Sequence, residues 1–160
     1  MDAAIKKQAL RLFTYGLYIA SAAKEEDVAA GTVNWVSQGS FQPPLVMVAI
    51  KGDSHLHALI EATQQFALNV LGAEQKSIAQ DFFRPSQREG QTLNGHPFSA
   101  GPVTGAPLFS ELPAWVECRV TNTVSGGDHT IYVAEVVEAG IKHGEAQALD
   151  MWNTGWFYAG

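Results

Sequence analysis

The chain has 160 residues, 46% of them hydrophobic, and a formal net charge of −6. That length and apolar content exclude a disordered chain and suit one domain, taken as residues 1–160, better than two. No basic stretch is present to neutralise phosphates, so nucleic acid is not an expected partner. The lone cysteine, Cys118, excludes an internal disulfide and a cysteine-held zinc.

The N-terminus carries Asp2, Lys6, Lys7 and Arg11 and lacks the apolar core of a signal peptide. No apolar run is long enough to span a bilayer as a helix. A cytoplasmic protein with no membrane partner is therefore the expectation.

In chain order, Ile5, Ala9, Leu12 and Phe13 recur at helical spacing and predict a short amphipathic helix over Asp2 to Phe13. Tyr15 to Ala22 alternates as a strand, and Lys24 to Asp27 is a charged turn. Val28 to Gln38 reads as a second strand, interrupted by Gly31 and ended by Gly39. Gln42-Pro43-Pro44 is a rigid connection. The apolar run Leu45 to Ile50 predicts a strand buried on both faces. Asp53 or Ser54 caps a helix whose apolar face is Leu56, Leu59, Ile60 and Thr63. Phe66 to Leu71 is a strand. Glu74 to Phe83 is a helix with Ile78, Ala79, Phe82 and Phe83 as its stripe.

Arg84 to Pro113, rich in glycine and proline, reads as a long irregular stretch, and such stretches are often functional loops. Ala114 to Thr121 sets Val116, Cys118 and Val120 against Trp115, Glu117 and Arg119. Gly126-Gly127-Asp128 turns it into His129–Val137 as a hairpin. Lys142 to Gln147 is polar, and the tail from Met151 to Tyr158 is aromatic. Strands that are not separated one by one by helices disfavour a doubly wound parallel sheet. The fold class is mainly β, a mostly antiparallel barrel with a few peripheral helices.

Four places could carry chemistry. Val33 to Pro44 packs amides, hydroxyls, Trp35 and Gly39 between apolar strands, the mix a polar aromatic ligand needs. By composition alone an ordinary connection between strands is the favoured reading. Lys51, Ser54 and His57 flank a helix start, where free N–H groups and the dipole favour an anion, or where a plain cap stands. His55 and His57 have no partner ligands nearby in sequence, so a metal is not expected. His129 follows a glycine turn and is either a hydrogen-bond donor to a cofactor or simply exposed. The aromatic tail reads as an interface, a ligand shelf or a terminal strand closing the core. No Gly-x-Gly-x-x-Gly or phosphate-binding loop is present.

Taken together, several segments resemble the flavin-reductase-like family of FMN-binding split barrels. Leu12-Phe13-Thr14-Tyr15-Gly16-Leu17-Tyr18-Ile19-Ala20-Ser21-Ala22 resembles its opening strand. Asn34 to Val46, with Ser40-Phe41-Gln42-Pro43-Pro44-Leu45-Val46, resembles its flavin loop ending Ser-x-x-Pro-Pro-Leu-Val. Phe66-Ala67-Leu68-Asn69-Val70-Leu71 and the segment Gly127 to Val136 resemble its later strands. The flavodiiron-fused domain and flavoredoxin-like members are the most similar in kind.

The resemblance implies a split β-barrel of Greek-key, mostly antiparallel form, and a homodimer with one FMN per subunit. NADH or NADPH would be co-substrate, with a redox protein as a further partner. Asn34, Trp35, Val36 and Ser37 would line the flavin ring and ribityl chain. Ser40, Lys51, Ser54 and His57 would hold the phosphate, although the family often has threonine at the position of Leu56. His129 would be the catalytic-site histidine, near flavin or nicotinamide. Phe83 and Arg84 would approach the ring, and Trp156 and Tyr158 would cover it. The implied activity is NAD(P)H-dependent flavin reduction. Its competitors are an electron-transfer flavoprotein reduced by a protein partner and a split barrel holding another ligand such as haem.

Overall fold

The computed structural model describes residues 1–158, so the last two residues of the expected domain, 159 and 160, lie outside the described part. Helix α1 (Ala3–Arg11) is capped by Asp2, whose carboxylate accepts from the N–H groups of Ala4 and Ile5. Its apolar side chains are not buried within the chain; Ile5 remains 67% exposed. Strands β1 (Tyr18–Lys24) and β2 (Asp27–Val33) form a hairpin, and β3 (Val36–Phe41) and β4 (Pro44–Lys51) form another. Helix α2 (His55–Thr63), β5 (Gln65–Val70) and α3 (Lys76–Asp81) follow. Four short strands, β6 (Arg88–Glu89), β7 (Thr92–Leu93), β8 (His96–Ala100) and β9 (Pro107–Phe109), form a small sheet. The long hairpin β10 (Ala114–Ser125) and β11 (His129–Ile141) precedes α4 (Met151–Thr154).

The seven-stranded sheet runs β2-β1-β5-β10-β11-β4-β3, antiparallel throughout. Its two edges, β2 and β3, are consecutive in sequence and are joined by Asn34 and Trp35 alone. From Val33 to Val36 the backbone reaches at most roughly 11 Å. A flat sheet would hold those edges about 29 Å apart, at about 4.8 Å per strand. The sheet is therefore rolled, and its edges meet through the chain rather than through a ladder. The result is a barrel split along one seam.

Inside it, Ala20, Val48, Ile50, Phe66, Leu68, Cys118 and Tyr132 pack against Leu56, Leu59 and Ile60 of α2. On the other side of β1 and β5, Leu17, Ile19 and Leu71 pack against Ala79, Phe82, Phe109 and Met151. Burial pushes the Cys118 thiol up to about 12, with the Glu117 carboxylate adding to the shift.

Several sequence expectations change. Gly31 does not interrupt β2; the break falls at Asn34–Trp35, where the chain crosses the seam. Gly39 does not end β3, which continues to Phe41 past an irregularity between Gln38 and Ser40. β4 is not buried on both faces, because its outer face is uncovered among the described residues and Met47 is 40% exposed. Arg84–Pro113 is not irregular. Asn94 and Gly95, both at positive φ, turn β7 into β8, the Asn-Gly hairpin signal that the glycine count obscured. The aromatic tail is not a terminal strand; it makes one short helix and then an unpaired segment.

Candidate functional site

The seam is where the chemistry gathers. A cavity of about 450 Å³ is walled by Gly31, Thr32 and Val33 of β2, by Asn34 and Trp35 at the crossing, and by Ala49 and Lys51 of β4. Ser54, Phe82, Phe83, His129 and the tail residues Met151, Trp156, Phe157 and Tyr158 complete it. A second lobe of about 700 Å³ shares Gly31, Thr32, Lys51, Ser54 and Phe83, and adds Asp53, His55, Arg84 and Ser86. One end of the cleft is thus aromatic and amide-bearing, and the other carries the cations.

At the aromatic end, Asn34 is buried; its amide donates to Met151 Sδ (3.6 Å) and to the Tyr158 carbonyl (3.4 Å). The Trp35 ring lies 4.7 Å from the His129 ring and 5.3 Å from that of Tyr158. Nδ1 of His129 lies 2.9 Å from Asp128 Oδ1, and Nε2 lies 3.0 Å from the Tyr158 hydroxyl. A carboxylate only accepts, so Nδ1 carries the hydrogen that faces Asp128. The hydrogen bond from His129, with its charge, holds the Asp128 carboxyl below its ordinary value.

At the cationic end, β4 finishes in Lys51, opposite His129 in the ladder. Ser54 caps α2 by accepting from His57 N–H (3.1 Å) while donating to the Lys51 carbonyl (2.8 Å). Its hydroxyl is engaged in the fold, so the anion-attracting groups there are the first-turn N–H groups and Lys51. Lys51 lies 3.4 Å from Asp53, and Arg84 lies 3.9 Å from Asp81; all four are largely exposed.

Of the residues expected from sequence, Asn34, Trp35, Lys51, Ser54, Phe83, His129, Trp156 and Tyr158 line the first cavity, and Arg84 lines the adjoining lobe. Four others stand elsewhere. Val36 and Ser37 line a separate groove beyond Trp35, with Leu10, Phe13, Tyr15, Met47 and Ile131. Strand alternation turns Ser37 outward beside Met47, while Val36, paired with Val48, packs against the inner core and only borders the groove. Ser40 pairs with Leu45, at the far end of β4 from Lys51, and lines neither lobe. His57 turns to the sheet, with Nε2 at 2.9 Å from Thr130 Oγ1.

The cleft is also lined by Thr32, Val33, Ala49, Phe82, Met151 and Phe157, none of them named singly as a flavin contact from the sequence. The alternation of β2 was a usable signal for Thr32. The others become neighbours only when the barrel rolls.

The Flavin reductase like domain family matches residues 10–159. The chain is 32% identical over 148 residues to the NADH-dependent flavin reductase StyB of Pseudomonas fluorescens, covering 91% of this chain and 83% of that protein. It is 32% identical over 139 residues to the reductase component of 4-nitrophenol 4-monooxygenase/4-nitrocatechol 2-monooxygenase of Rhodococcus opacus, covering 87% and 72% respectively. The solved flavin reductase of styrene monooxygenase from Pseudomonas putida S12 superimposes with a TM-score of 0.73 at 32% identity, covering 96% of this chain and 94% of that one. With its split barrel and a family match across nearly all its length, the chain belongs to the flavin reductase like family.

Proposed function

We propose that this protein is an NAD(P)H-dependent flavin reductase that takes FMN in the seam cleft. The observation that carries this reading is the pairing of two unlike ends in one cavity. Asn34, Trp35 and His129 offer an amide and ring surfaces to a flavin ring, and Lys51 with the start of α2 offers positive potential to a phosphate. When bound, the flavin supplies hydride acceptance; the protein supplies position and electrostatics. In this reading Asn34 holds a ring heteroatom and Trp35 bears on a ring edge. Gly31 leaves the β2 wall without a side chain.

The relatives named as NADH-dependent favour NADH as the donor. The name of the Rhodococcus relative, a reductase component, favours an oxygenase as the consumer of reduced flavin. The uncovered groove of Leu10, Phe13, Val36, Met47 and Ile131 suits a second copy of the chain, forming the homodimer. A lone, buried cysteine fits a reducing, cytoplasmic setting.

The test is an absorbance spectrum of the purified protein with FMN, followed by anaerobic addition of each nucleotide. Rapid bleaching of the yellow flavin by NADH supports the reading. Bleaching only by a reduced protein partner would replace it with an electron carrier, and a haem band would overturn it.

A further inference from the structure

The segment Trp156–Tyr158 touches the core through Trp156. It belongs to no strand, and it follows Gly155, whose φ of 73° lets the chain swing sharply away from α4. It crosses the aromatic end of the cleft on side-chain contacts: Tyr158 hydroxyl to His129 at 3.0 Å, the Tyr158 ring 5.3 Å from Trp35, and Trp156 edge-on to Phe83 at 5.0 Å. Two further bonds reach its backbone: the Asn34 amide donates to the Tyr158 carbonyl, and the Trp156 N–H donates to Thr154 Oγ1. Phe157 and Tyr158 remain 55% and 48% exposed, so little apolar surface holds them down.

The space beneath the segment is about 450 Å³. The adjoining lobe of about 700 Å³ opens away from the segment, so the room that the segment restricts is at the aromatic end, beside Trp35 and His129. Hydride transfer needs the donor's ring stacked on the acceptor's. The geometry points to the C-terminal aromatic segment as a displaceable gate that occupies the seat of the nicotinamide ring, with Tyr158 as its latch on His129. This rests on the flavin-reductase reading of the cleft. Closed, the segment competes with the donor; open, it frees Trp35 and His129 to meet the donor's ring. A donor that binds only the open form has its apparent affinity reduced by the fraction open.

The experiment uses the full chain, a chain cut after Gly155, and Tyr158→Phe, which keeps the ring and removes the latch. FMN binding is read by flavin fluorescence, and the KM for NADH is measured in each. Chymotrypsin, which cuts after aromatic residues, reports opening through the mass of the released C-terminus, with FMN alone and with FMN plus NAD+. The gate predicts a KM for NADH about three- to tenfold lower in the cut chain, for a gate open about a tenth to a third of the time. It predicts a smaller fall in Tyr158→Phe, a change in KM for NADH that exceeds any change in FMN affinity in both, and faster clipping of the full chain when NAD+ is added. If the cut chain does not fold, Tyr158→Phe and the clipping decide alone. A raised or unchanged KM, or clipping slowed or unaffected by NAD+, overturns the gate while FMN binding leaves the cleft reading standing. Loss of FMN binding in every chain, the full one included, overturns the cleft reading, and the gate with it.

Discussion

Lys51 and His129 face one another across the β4–β11 ladder, which fixes the cleft's cation and its imidazole on one strand boundary. The hairpin turn before His129 also donates no slack there, since the Gly52 N–H bonds the Asp128 carbonyl at 3.0 Å. Lys51→Ala is expected to weaken FMN binding by about two- to fivefold, roughly 0.5–1 kcal/mol for an exposed cation already near a carboxylate. Ser40→Ala is expected to leave binding unchanged in the monomer, because Ser40 sits at the other end of β4. Fluorescence titration of both variants checks this, and an equal loss from both would reject the phosphate end assigned here.

His129 is held from both nitrogens and by Trp35, and its side chain is only 11% exposed. His129→Ala is expected to slow anaerobic flavin reduction by NADH about tenfold, near 1.4 kcal/mol, with a smaller change in FMN affinity. Stopped-flow reduction at saturating NADH separates the two effects. A loss confined to FMN affinity would make His129 a binding residue only.

Glu117 lies on the polar side of the alternation in β10 yet is fully buried. Its carboxylate accepts from Thr104 N–H (2.7 Å) and hydroxyl (2.6 Å) and from Val103 N–H (3.2 Å). Glu117→Ala leaves those donors without an acceptor and is expected to cost about 2–4 kcal/mol. Gly101→Ala should destabilise as well, since a Cβ there would collide with the Glu117 carboxylate. Urea unfolding at neutral pH measures both, and FMN binding should survive wherever the chain stays folded.

The buried thiol makes stability fall in alkali. Cys118 keeps its proton in the fold up to about 12, against an ordinary 9.0, so its stabilising effect is complete below pH 9 and is lost as the pH rises toward 12. The slope from one such group approaches about 1.4 kcal/mol per pH unit. Tyr18 and Tyr132, both raised by burial, add in the same direction above pH 10. Thermal unfolding between pH 8 and 10.5 should therefore show a shallower decline in Cys118→Ala than in the parent. Equal slopes would mean that the thiol ionises without cost in the fold.

The elements themselves were written locally. Apolar periodicity and the Ser54 cap sufficed for α2, and the Gly126-Gly127-Asp128 turn sufficed for the β10–β11 hairpin. Side-chain spacing and turn chemistry act over a few residues, so they can be read without the fold. The resemblance carried by Asn34 to Val46 is borne out at the level of the family, which matches residues 10–159, and Asn34 and Trp35 line the cleft. Three-dimensional closure decided the rest. Only the rolled sheet brings Thr32 and Ala49 into one cavity, turns Ser37 to the outer groove, and leaves Ser40 remote from Lys51. The fate of the aromatic tail was equally non-local, because nothing in Trp156–Tyr158 says which surface lies beneath it. His129 and Tyr158, 29 residues apart, meet because the seam and α4 carry them to one place.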